Sequence, residues 1–253
     1  FAGSPWVGLA HFRRFFSNPY SLSVIWNTLI IAVMKIIFGL IVPVLFALQL
    51  NEIRAERAKK AVQTMVYLPH FLSWVILAGI LKDILSVDGG IVNQIIEALG
   101  GDPIFFFGDG NWFRVVVIVS DIWKEFGFNT IVYLAALTSV DTALYEAAMI
   151  DGAGRWKQTI HITLPSIAPI ITVMLTLSLG NVLNAGFDQI YNLYSPMVYD
   201  KGDIIDTFVY RTSIVQADMS YGAAVGIFKS VVALILIITS YKLADKLAGY
   251  RIF

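Results

Sequence analysis

The sequence predicts an all-α protein, a polytopic bundle of helices that cross a membrane several times. Its 253 residues are 57% hydrophobic and only 14% charged, whereas soluble domains carry roughly 25% charged residues. A membrane-spanning helix needs roughly 20 mostly apolar residues. Alternating ten-residue strand patterns are missing, so helices are expected rather than a membrane barrel. Five segments qualify as spans: Ser23–Leu50, Val62–Ile84, Phe113–Leu137, Ile167–Phe187 and Ala223–Leu243.

The composition also excludes several classes of function. The formal net charge is zero, which offers no basic face for nucleic acid. The chain has no cysteine and only three scattered histidines, so neither a thiolate site nor a histidine metal site is predicted. The stretch "GAGRWKQT" fails as a phosphate loop, because Lys157 stands where the second glycine is required. An enzyme within the membrane is therefore not expected.

The distribution of Lys and Arg predicts the orientation, because short cytoplasmic loops carry an excess of these residues. Nine lie on the predicted cytoplasmic side: Arg54, Arg57, Lys59, Lys60, Arg155, Lys157, Lys242, Lys246 and Arg251. Six lie on the opposite side: Arg13, Arg14, Lys82, Arg114, Lys201 and Arg211. With five spans, this bias puts the N-terminus outside and the C-terminus in the cytoplasm. Residues 1–20 then form an outer lead-in, and a preceding span is expected to be missing.

Charged residues inside the predicted spans have two interpretations. Lys35 lies near the middle of the first span, where a lone lysine costs roughly 2.5–3.5 kcal/mol on insertion scales. Asp121, Lys124 and Glu125 cluster in the third, and Asp121 and Lys124 have the i, i+3 spacing of a pair within one helix. Lys229 is close enough to the outer end of the last span to extend to water. These residues either line a solute path or pair between helices and fix their register.

The outer end of the fourth span reads "GNVLNAGFDQIYNLYSP". Asn181, Asn184 and Asp188 have the spacing of one helical face, and Phe187 and Tyr191 accompany them. Amides bind hydroxyl groups and aromatic rings stack on sugar faces, so these five residues are candidate contacts for a hydroxyl-rich solute. The alternative is an interfacial aromatic belt with polar contacts between helices. A predicted outer loop follows over residues 189–221.

Residues 139–165 form a polar segment on the predicted cytoplasmic side. Thr142–Ile150 reads as a short helix that Asp141 is suited to cap. Two glycines at positions 152 and 154 then allow a sharp turn. A second short helix is expected over Arg155–Ile162, and Leu164 is expected outside any helix because it precedes Pro165. Pro165 itself suits the first turn of the next span.

This segment carries a long gapped motif. "EAA" is followed by three residues, Gly152, nine residues, Ile162, one residue and then Leu164-Pro165. The spacing resembles the permease signature of bacterial binding-protein-dependent ABC importers at every position. "YLPHFLSW", "DIWKEFGFNTIVYLAAL" and "TFVYR" extend the resemblance to the sugar-importing branch. The resemblance implies one transmembrane permease domain over residues 1–253, in a subunit that usually has six spans.

The resemblance also implies the partners and the site residues. The signature would be the coupling helix of a multi-pass inner-membrane permease, seated in a groove of a cytoplasmic ATPase. The partners would be a second permease, expected to be a different chain, two ATPases and an extracytoplasmic solute-binding protein. ATP and Mg would be bound by the ATPases, with no cofactor in this chain. The implied coupling residues are Glu146, Ala147, Ala148, Asp151, Gly152 and Pro165, and the candidate solute path comprises Asn181, Asn184, Phe187, Asp188, Tyr191 and Lys35.

Three functions remain open at this point. The first is an ATP-driven permease for a carbohydrate, with a non-sugar solute as its variant. The second is an ion-coupled secondary transporter in which Lys35, Asp121 and Glu125 relay protons. It gives the cytoplasmic segment no role, and it would favour repeated halves that the sequence lacks. The third is a structural membrane scaffold.

Overall fold

The computed structural model describes the backbone of residues 6–248 and the side chains of residues 6–242, and within that range it is helical and contains no strand. Three parts of the predictions above lie outside the described residues: Phe1–Pro5 of the lead-in, the whole of Arg251, and the side chain of Lys246. The α-helices in chain order are α1 Ala10–Ser17, α2 Pro19–Asn51, α3 Glu56–Tyr67, α4 Trp74–Ile84, α5 Ile91–Ala98, α6 Gly110–Thr138, α7 Thr142–Ile150, α8 Arg155–Gln158, α9 Leu164–Gly180, α10 Phe187–Leu193, α11 Tyr199–Gly202, α12 Ile205–Tyr210 and α13 Met219–Ala248.

Long helices overlap four of the five predicted spans. By length and hydropathy, Pro19–Asn51, Arg155–Gly180 and Met219–Lys242 can each cross a membrane, and a fourth span results if the bent pair of α3 and α4 is counted as one. Helix α6 is 29 residues long. It falls outside the same criterion because it carries four charged residues: Arg114, Asp121, Lys124 and Glu125.

The second predicted span is not one continuous helix. A 3-10 turn over Leu68–Phe71 follows α3, and the chain then leaves the helical conformation before α4 begins at Trp74. Pro69 lacks a backbone N–H and therefore cannot continue the hydrogen-bond ladder. The Ser73 hydroxyl accepts a hydrogen bond from the Ile76 N–H at 3.4 Å and caps the new helix. A proline and a cap residue within an apolar stretch thus produce a break that hydropathy alone does not reveal.

The chain divides into two compact units, each built from three separate segments. Unit 1 comprises Phe1–Met34, Leu72–Ser120 and Val182–Ile235. Unit 2 comprises Lys35–Phe71, Asp121–Asn181 and Leu236–Phe253. The single transmembrane domain expected over residues 1–253 stays a prediction.

Unit 2 has its own apolar core and one very close helix contact. The core is formed by parts of α2, α6 and α9. Gly127 in α6 lies so close to the Val66 backbone in α3 that an added β-carbon would overlap the Val66 carbonyl group. The fully or largely buried core residues are Val44, Ala47, Leu50, Tyr133, Leu134, Leu137 and Ile167.

The Gly127 contact predicts a local overpacking effect. Gly127→Ala is expected to destabilise the protein by about 1–3 kcal/mol, because the overlapping atoms belong to backbone that cannot rotate away. Gly39→Ala is the matched control, since Gly39 is a helical glycine of the same unit with no atom within 4 Å of the added β-carbon. Thermal unfolding in detergent should show a lowered midpoint for the first variant only. Equal midpoints for the two variants would contradict the close contact.

The predicted outer loop over residues 189–221 is a packed set of short helices in unit 1. Helices α10, α11 and α12 fall within or at the edge of it. Gln189 is fully buried and donates hydrogen bonds to the Val117 carbonyl at 2.7 Å and to the Ser120 hydroxyl at 2.8 Å. The segment predicted as a loop is therefore largely helical, because buried amide and carboxyl groups hold it in the unit; its position outside the membrane stays a prediction.

Asp203 is a second buried side chain that holds this segment in unit 1. It is fully buried, and Arg211 Nη2 donates to its Oδ2 at 2.5 Å. Tyr20 Oη and Thr207 Oγ1 donate to the same carboxylate at 2.5 and 2.7 Å. A buried charge requires such partners. Asp203 is consequently no surface group for an extracytoplasmic partner to reach.

The lead-in helix α1 is fixed to unit 1 by aromatic packing and by one exposed ion pair. Phe15 is 1% exposed, with its ring centroid 5.5 Å from that of Phe228. Arg14 Nη1 lies 2.6 Å from Asp218 Oδ2, with side-chain exposures of 58% and 32%. An ion pair that is so exposed contributes at most about 1 kcal/mol. Aromatic packing therefore provides most of the free energy that attaches α1 to unit 1, and the ion pair adds a small contribution that depends on charge.

The ion pair predicts a weak pH dependence of the attachment of α1. The hydrogen bond from Arg14 holds the pKa of the Asp218 carboxyl below its ordinary value. A folded pKa below the unfolded one gives stability that is present above the unfolded pKa, about 3.9, and is lost as the pH falls through the folded pKa. The protection factors of the α1 amides, which correct for the slower intrinsic exchange in acid, should fall modestly between pH 6 and pH 3. Asp218→Asn should remove that acid-dependent part, and an unchanged pH profile in this variant would contradict it.

Candidate functional site

The helix containing the predicted solute contacts is broken near the end of the fourth predicted span. Helix α9 ends at Gly180, and α10 begins at Phe187 after Gly186, whose φ is +98°. Residues with a side chain rarely adopt that left-handed conformation, so Gly186 permits the break. Asn181 and Asn184 therefore do not share one helical face with Asp188, and that part of the prediction is wrong. The failure has a local signal in the "NAG" sequence that precedes Phe187.

Within unit 1, the predicted aromatic residues form part of a larger ring cluster. Phe187 and Tyr191 stack with centroids 5.4 Å apart and an interplanar angle of 16°. Tyr210 of α12 lies 5.7 and 5.0 Å from these two rings, and its hydroxyl accepts a hydrogen bond from Tyr191 Oη at 3.3 Å. Tyr194 lies 6.0 Å from Tyr191 and 5.0 Å from Tyr199. We call these five residues the outer aromatic cluster.

Polar side chains accompany the outer aromatic cluster. Asn184 and Asp188 are both exposed, and Asp188 lies in the first turn of α10, where a carboxylate is favourable. Lys229 of α13 donates from Nζ to Asn184 Oδ1 at 2.8 Å and forms an ion pair with Asp206 Oδ1 at 2.5 Å. The Lys229 side chain is only 19% exposed. It is therefore paired inside the unit, contrary to the expectation that it extends to water.

Asn181 belongs to unit 2 and has other surroundings. Its amide donates to the Leu177 carbonyl at 3.2 Å. Together with residues of α9 and α13 it lines a cavity of about 120 Å³. The other lining residues are Thr176, Leu177, Gly180, Ile237 and Tyr241.

The charged residues of α2 and α6 in unit 2 form interhelical contacts. Lys35 Nζ lies 2.9 Å from Asp121 Oδ1, and the Lys35 side chain is 10% exposed. Lys124 Nζ lies 2.9 Å from Glu125 Oε1 and donates to the His70 carbonyl at 2.7 Å. The ring of His70 approaches the same carboxylate, with Nδ1 2.7 Å from Glu125 Oε2. Pairing between helices is thus present for Lys35, while its role as a solute contact stays a prediction.

The segment with the permease signature, residues 139–165, belongs to unit 2. The Asp141 carboxylate accepts from the Ala143 N–H at 2.9 Å and caps α7, as predicted. Gly152 follows α7 with a φ of +74°. The second short helix is α8 with a π-turn over Thr159–Thr163, and Pro165 lies in the first turn of α9. Leu164 is helical, so the expectation that Pro165 excludes it from the helix is wrong.

The motif residues of this segment are accessible. Glu146, Ala147, Asp151, Gly152 and Pro165 are exposed, and Ala148 is half-buried. Apolar side chains that the motif does not include are exposed beside them. Ile150 is 87% exposed and Trp156 75%. Sequence reasoning missed these two residues, although a tryptophan and an isoleucine within a polar insert are a visible signal.

The described residues are thus helical, and a capped segment with exposed apolar side chains connects two of the long helices. The chain matches the family model described as "Binding-protein-dependent transport system inner membrane component" over residues 39–249. It belongs to this family. It is therefore the multi-pass inner-membrane permease subunit of a binding-protein-dependent ABC importer. Such a subunit acts with a partner permease, with ATPase subunits and with a solute-binding protein.

Several related proteins are similar over most of their length. The chain is 45% identical over 251 residues to the polygalacturonan/rhamnogalacturonan transport system permease protein YteP of Bacillus subtilis (strain 168), covering 99% of this chain and 78% of YteP. It is 44% identical over 243 residues to the protein LplB of the same organism, covering 96% and 76%. A bacterial ABC transporter involved in the import of the acidic polysaccharide alginate gives a TM-score of 0.93 at 42% identity, covering 97% of this chain and 86% of that one.

Proposed function

We propose that this permease imports an oligosaccharide and that the outer aromatic cluster contacts it. The observation that carries the proposal is the stack of Phe187 and Tyr191 in unit 1, with the exposed Asn184 three residues before Phe187. Flat apolar rings suit the faces of sugar rings, and amide and carboxylate groups bind sugar hydroxyls. The solutes named for YteP and for the alginate importer support a carbohydrate. In unit 2, Asn181 and Lys35 remain predicted path residues.

We further infer that residues 139–165 couple the permease to a cytoplasmic ATPase. The residues in this role are Glu146, Ala147, Ala148, Asp151, Gly152 and Pro165. The exposed side chains of Ile150 and Trp156 support it, because large apolar groups on a polar connecting segment suit a protein partner. The first turn of α7 is capped by Asp141, so the segment is preorganised for docking. The aliphatic and indole side chains would fill the partner's groove.

The same proposal includes the orientation of this chain in the membrane and the subunit composition of the transporter. The described N-terminal part lies outside and the C-terminal part in the cytoplasm, which agrees with the basic residues near the coupling segment. The second permease is a different chain. ATP and Mg are bound by the two ATPase subunits, and this chain holds no cofactor.

Reconstitution tests the function. Proteoliposomes with the complete transporter should take up galacturonan oligosaccharides or alginate pentasaccharide only with internal ATP and loaded binding protein. A proton uncoupler should have no effect on the rate. Uptake that ignores ATP but stops with the uncoupler would favour an ion-coupled transporter instead. Uptake of a neutral oligosaccharide of equal length tests whether the acidic groups are required. Uptake of an amino acid tests whether the solute is a carbohydrate at all.

A further inference from the structure

A cavity of about 350 Å³ lies between α3 and α6 in unit 2. The two helices touch where Gly127 of α6 meets the Val66 backbone of α3. The cavity is on the side of this contact where α3 runs back towards its N-terminus and α6 runs on towards its C-terminus. Its volume falls in the range of small-molecule sites, roughly 300–1,000 Å³. The lining residues are Asn51, Lys59, Gln63, Tyr67, Ile131, Leu134, Ala135 and Thr138.

The two helical walls of the cavity differ in chemistry. Lys59, Gln63 and Tyr67 follow one another at a spacing of four residues, so α3 presents an ammonium, an amide and a phenol along one face. The α6 wall is aliphatic apart from Thr138. Ile131 of this wall is 39% exposed, so the described residues leave it partly uncovered. The cavity therefore suits an amphipathic molecule, with a polar group against α3 and an apolar part against α6.

The ammonium of Lys59 gives the polar wall its charge. The residue is half-buried, and within the described part of the chain no carboxylate lies within 4 Å of its Nζ. A cation that is partly removed from water without a counter-ion is unfavourable. An anion bound in the cavity would therefore stabilise this lysine.

The segment around Lys59 adds to the positive charge. Three basic residues within five positions of it have exposed side chains: Arg54, Arg57 and Lys60. Two carboxylates oppose them on the same segment, Glu52 and Glu56, and Glu52 is paired with Arg155 at 3.2 Å. Basic segments at the ends of membrane helices attract anionic lipids, and basic pockets between such helices bind their headgroups. The charge of the segment thus complements an anionic headgroup.

We propose that this cavity binds the headgroup of an anionic phospholipid, with Lys59 as the ligand of the phosphate. The ammonium donates charge-assisted hydrogen bonds to the phosphate oxygens. Gln63 and Tyr67 can donate to the remaining phosphate or glycerol oxygens. The acyl chains lie against the aliphatic wall of α6, a contact that a free phosphate cannot make. The site is separate from the proposed solute contacts and does not depend on which solute the permease imports.

Native mass spectrometry of the complete transporter, titrated in detergent with phosphatidylglycerol, tests the proposal. The parent should bind this lipid more tightly than phosphatidylcholine with the same acyl chains. Lys59→Gln should weaken the tightest phosphatidylglycerol site about tenfold, the loss expected for one charge-assisted hydrogen bond. Lys59→Arg should stay within about threefold, because a guanidinium also binds phosphate. Lys60→Gln is the matched control, since it removes the same charge from an exposed neighbour that does not line the cavity, and it should stay within about twofold.

A cavity-filling variant tests the location without changing the charge. Ala135 is an exposed residue of the α6 wall, and Ala135→Trp should occupy the space of the lipid and weaken its binding at least as much as Lys59→Gln. Parent-like binding in this variant would place the lipid elsewhere and overturn the inference. Equal losses in Lys59→Gln and Lys60→Gln would reduce the effect to general surface charge and overturn it as well. Equal affinities for the two lipids, or displacement of phosphatidylglycerol by millimolar inorganic phosphate, would also overturn it, the latter by identifying a site for free anions.

Discussion

Replacing Asp203 by alanine is expected to destabilise the protein by roughly 3–5 kcal/mol, because it leaves a largely buried arginine without its counter-charge. Arg211 has a side-chain exposure of 16% and makes two hydrogen bonds to the Asp203 carboxylate, at 2.5 and 3.2 Å. The hydroxyls of Tyr20 and Thr207 lose the same acceptor. The expected result is a low yield of folded protein and a strongly lowered thermal midpoint in detergent.

A nearby exposed carboxylate gives the matched control for this loss. Asp200→Ala changes an exposed side chain of α11 only three residues away and should stay within about 0.5 kcal/mol of the parent. Removing both charges with Asp203→Ala and Arg211→Met should recover part of the loss, because the orphaned guanidinium is then absent. Equal midpoints for Asp203→Ala and Asp200→Ala would show that the buried network contributes nothing.

Replacing Ile150 by glutamate is expected to release the ATPase subunits from the transporter. Ile150 is 87% exposed at the end of α7, and burying an isoleucine side chain in a partner contributes about 1.5–3 kcal/mol. A carboxylate at the same point loses that contribution and must also be desolvated. Retention of the ATPases should therefore fall roughly tenfold to a hundredfold. The measurement is ATPase co-purification together with hydrolysis stimulated by the loaded binding protein.

Controls on the same helix separate docking from folding. Ala143→Glu adds an equal charge to the first turn of α7, where an acidic residue is favourable, and should leave ATPase retention unchanged. Ile150→Ala should give an intermediate loss. If Ile150→Glu retains the ATPases and hydrolyses ATP at the parent rate, the segment is a solvated connection between spans.

Two effects coincide at Gly152. Its φ of +74° disfavours any side chain, so a bulky replacement changes the backbone of the segment as well as its surface. Gly154 has a φ of −68° and open space around it. Comparing ATPase retention in Gly152→Ala and Gly154→Ala therefore measures the need for a left-handed backbone at position 152. A methyl group is small, so this comparison is separate from the effect of a bulky side chain.

The positions of the long helices and of the segment with the permease signature were predictable because their signals are local. Apolar length alone locates α2, α9 and α13, since a membrane helix must satisfy its backbone internally over a fixed thickness. The spacing from Glu146 to Pro165 likewise lies within one stretch of chain. Asp141 was identified as a helix cap for the same reason, because a cap acts on residues two or three positions away.

The breaks were predictable only in part. Gly186 indicates that α9 can end before α10, yet the apolar residues on both sides of it favour a single helix. The left-handed φ of Gly186 in the structure shows that the helix is broken. Pro69 and Ser73 mark the end of α3 and the start of α4 in the same way. Hydropathy averages over about twenty residues, and it therefore cannot register an interruption of two or three.

Length, composition and spacing are properties of contiguous residues, so they were sufficient to predict a helical membrane protein whose polar insert carries a permease signature. Which charges meet depends on how distant segments pack. Asp121 pairs with Lys35, Asp203 with Arg211 and Asp206 with Lys229. Two of these pairs join different helices. A lysine in an apolar helix indicates that a partner exists. The identity of that partner depends on which side chains lie within 4 Å of the lysine after folding.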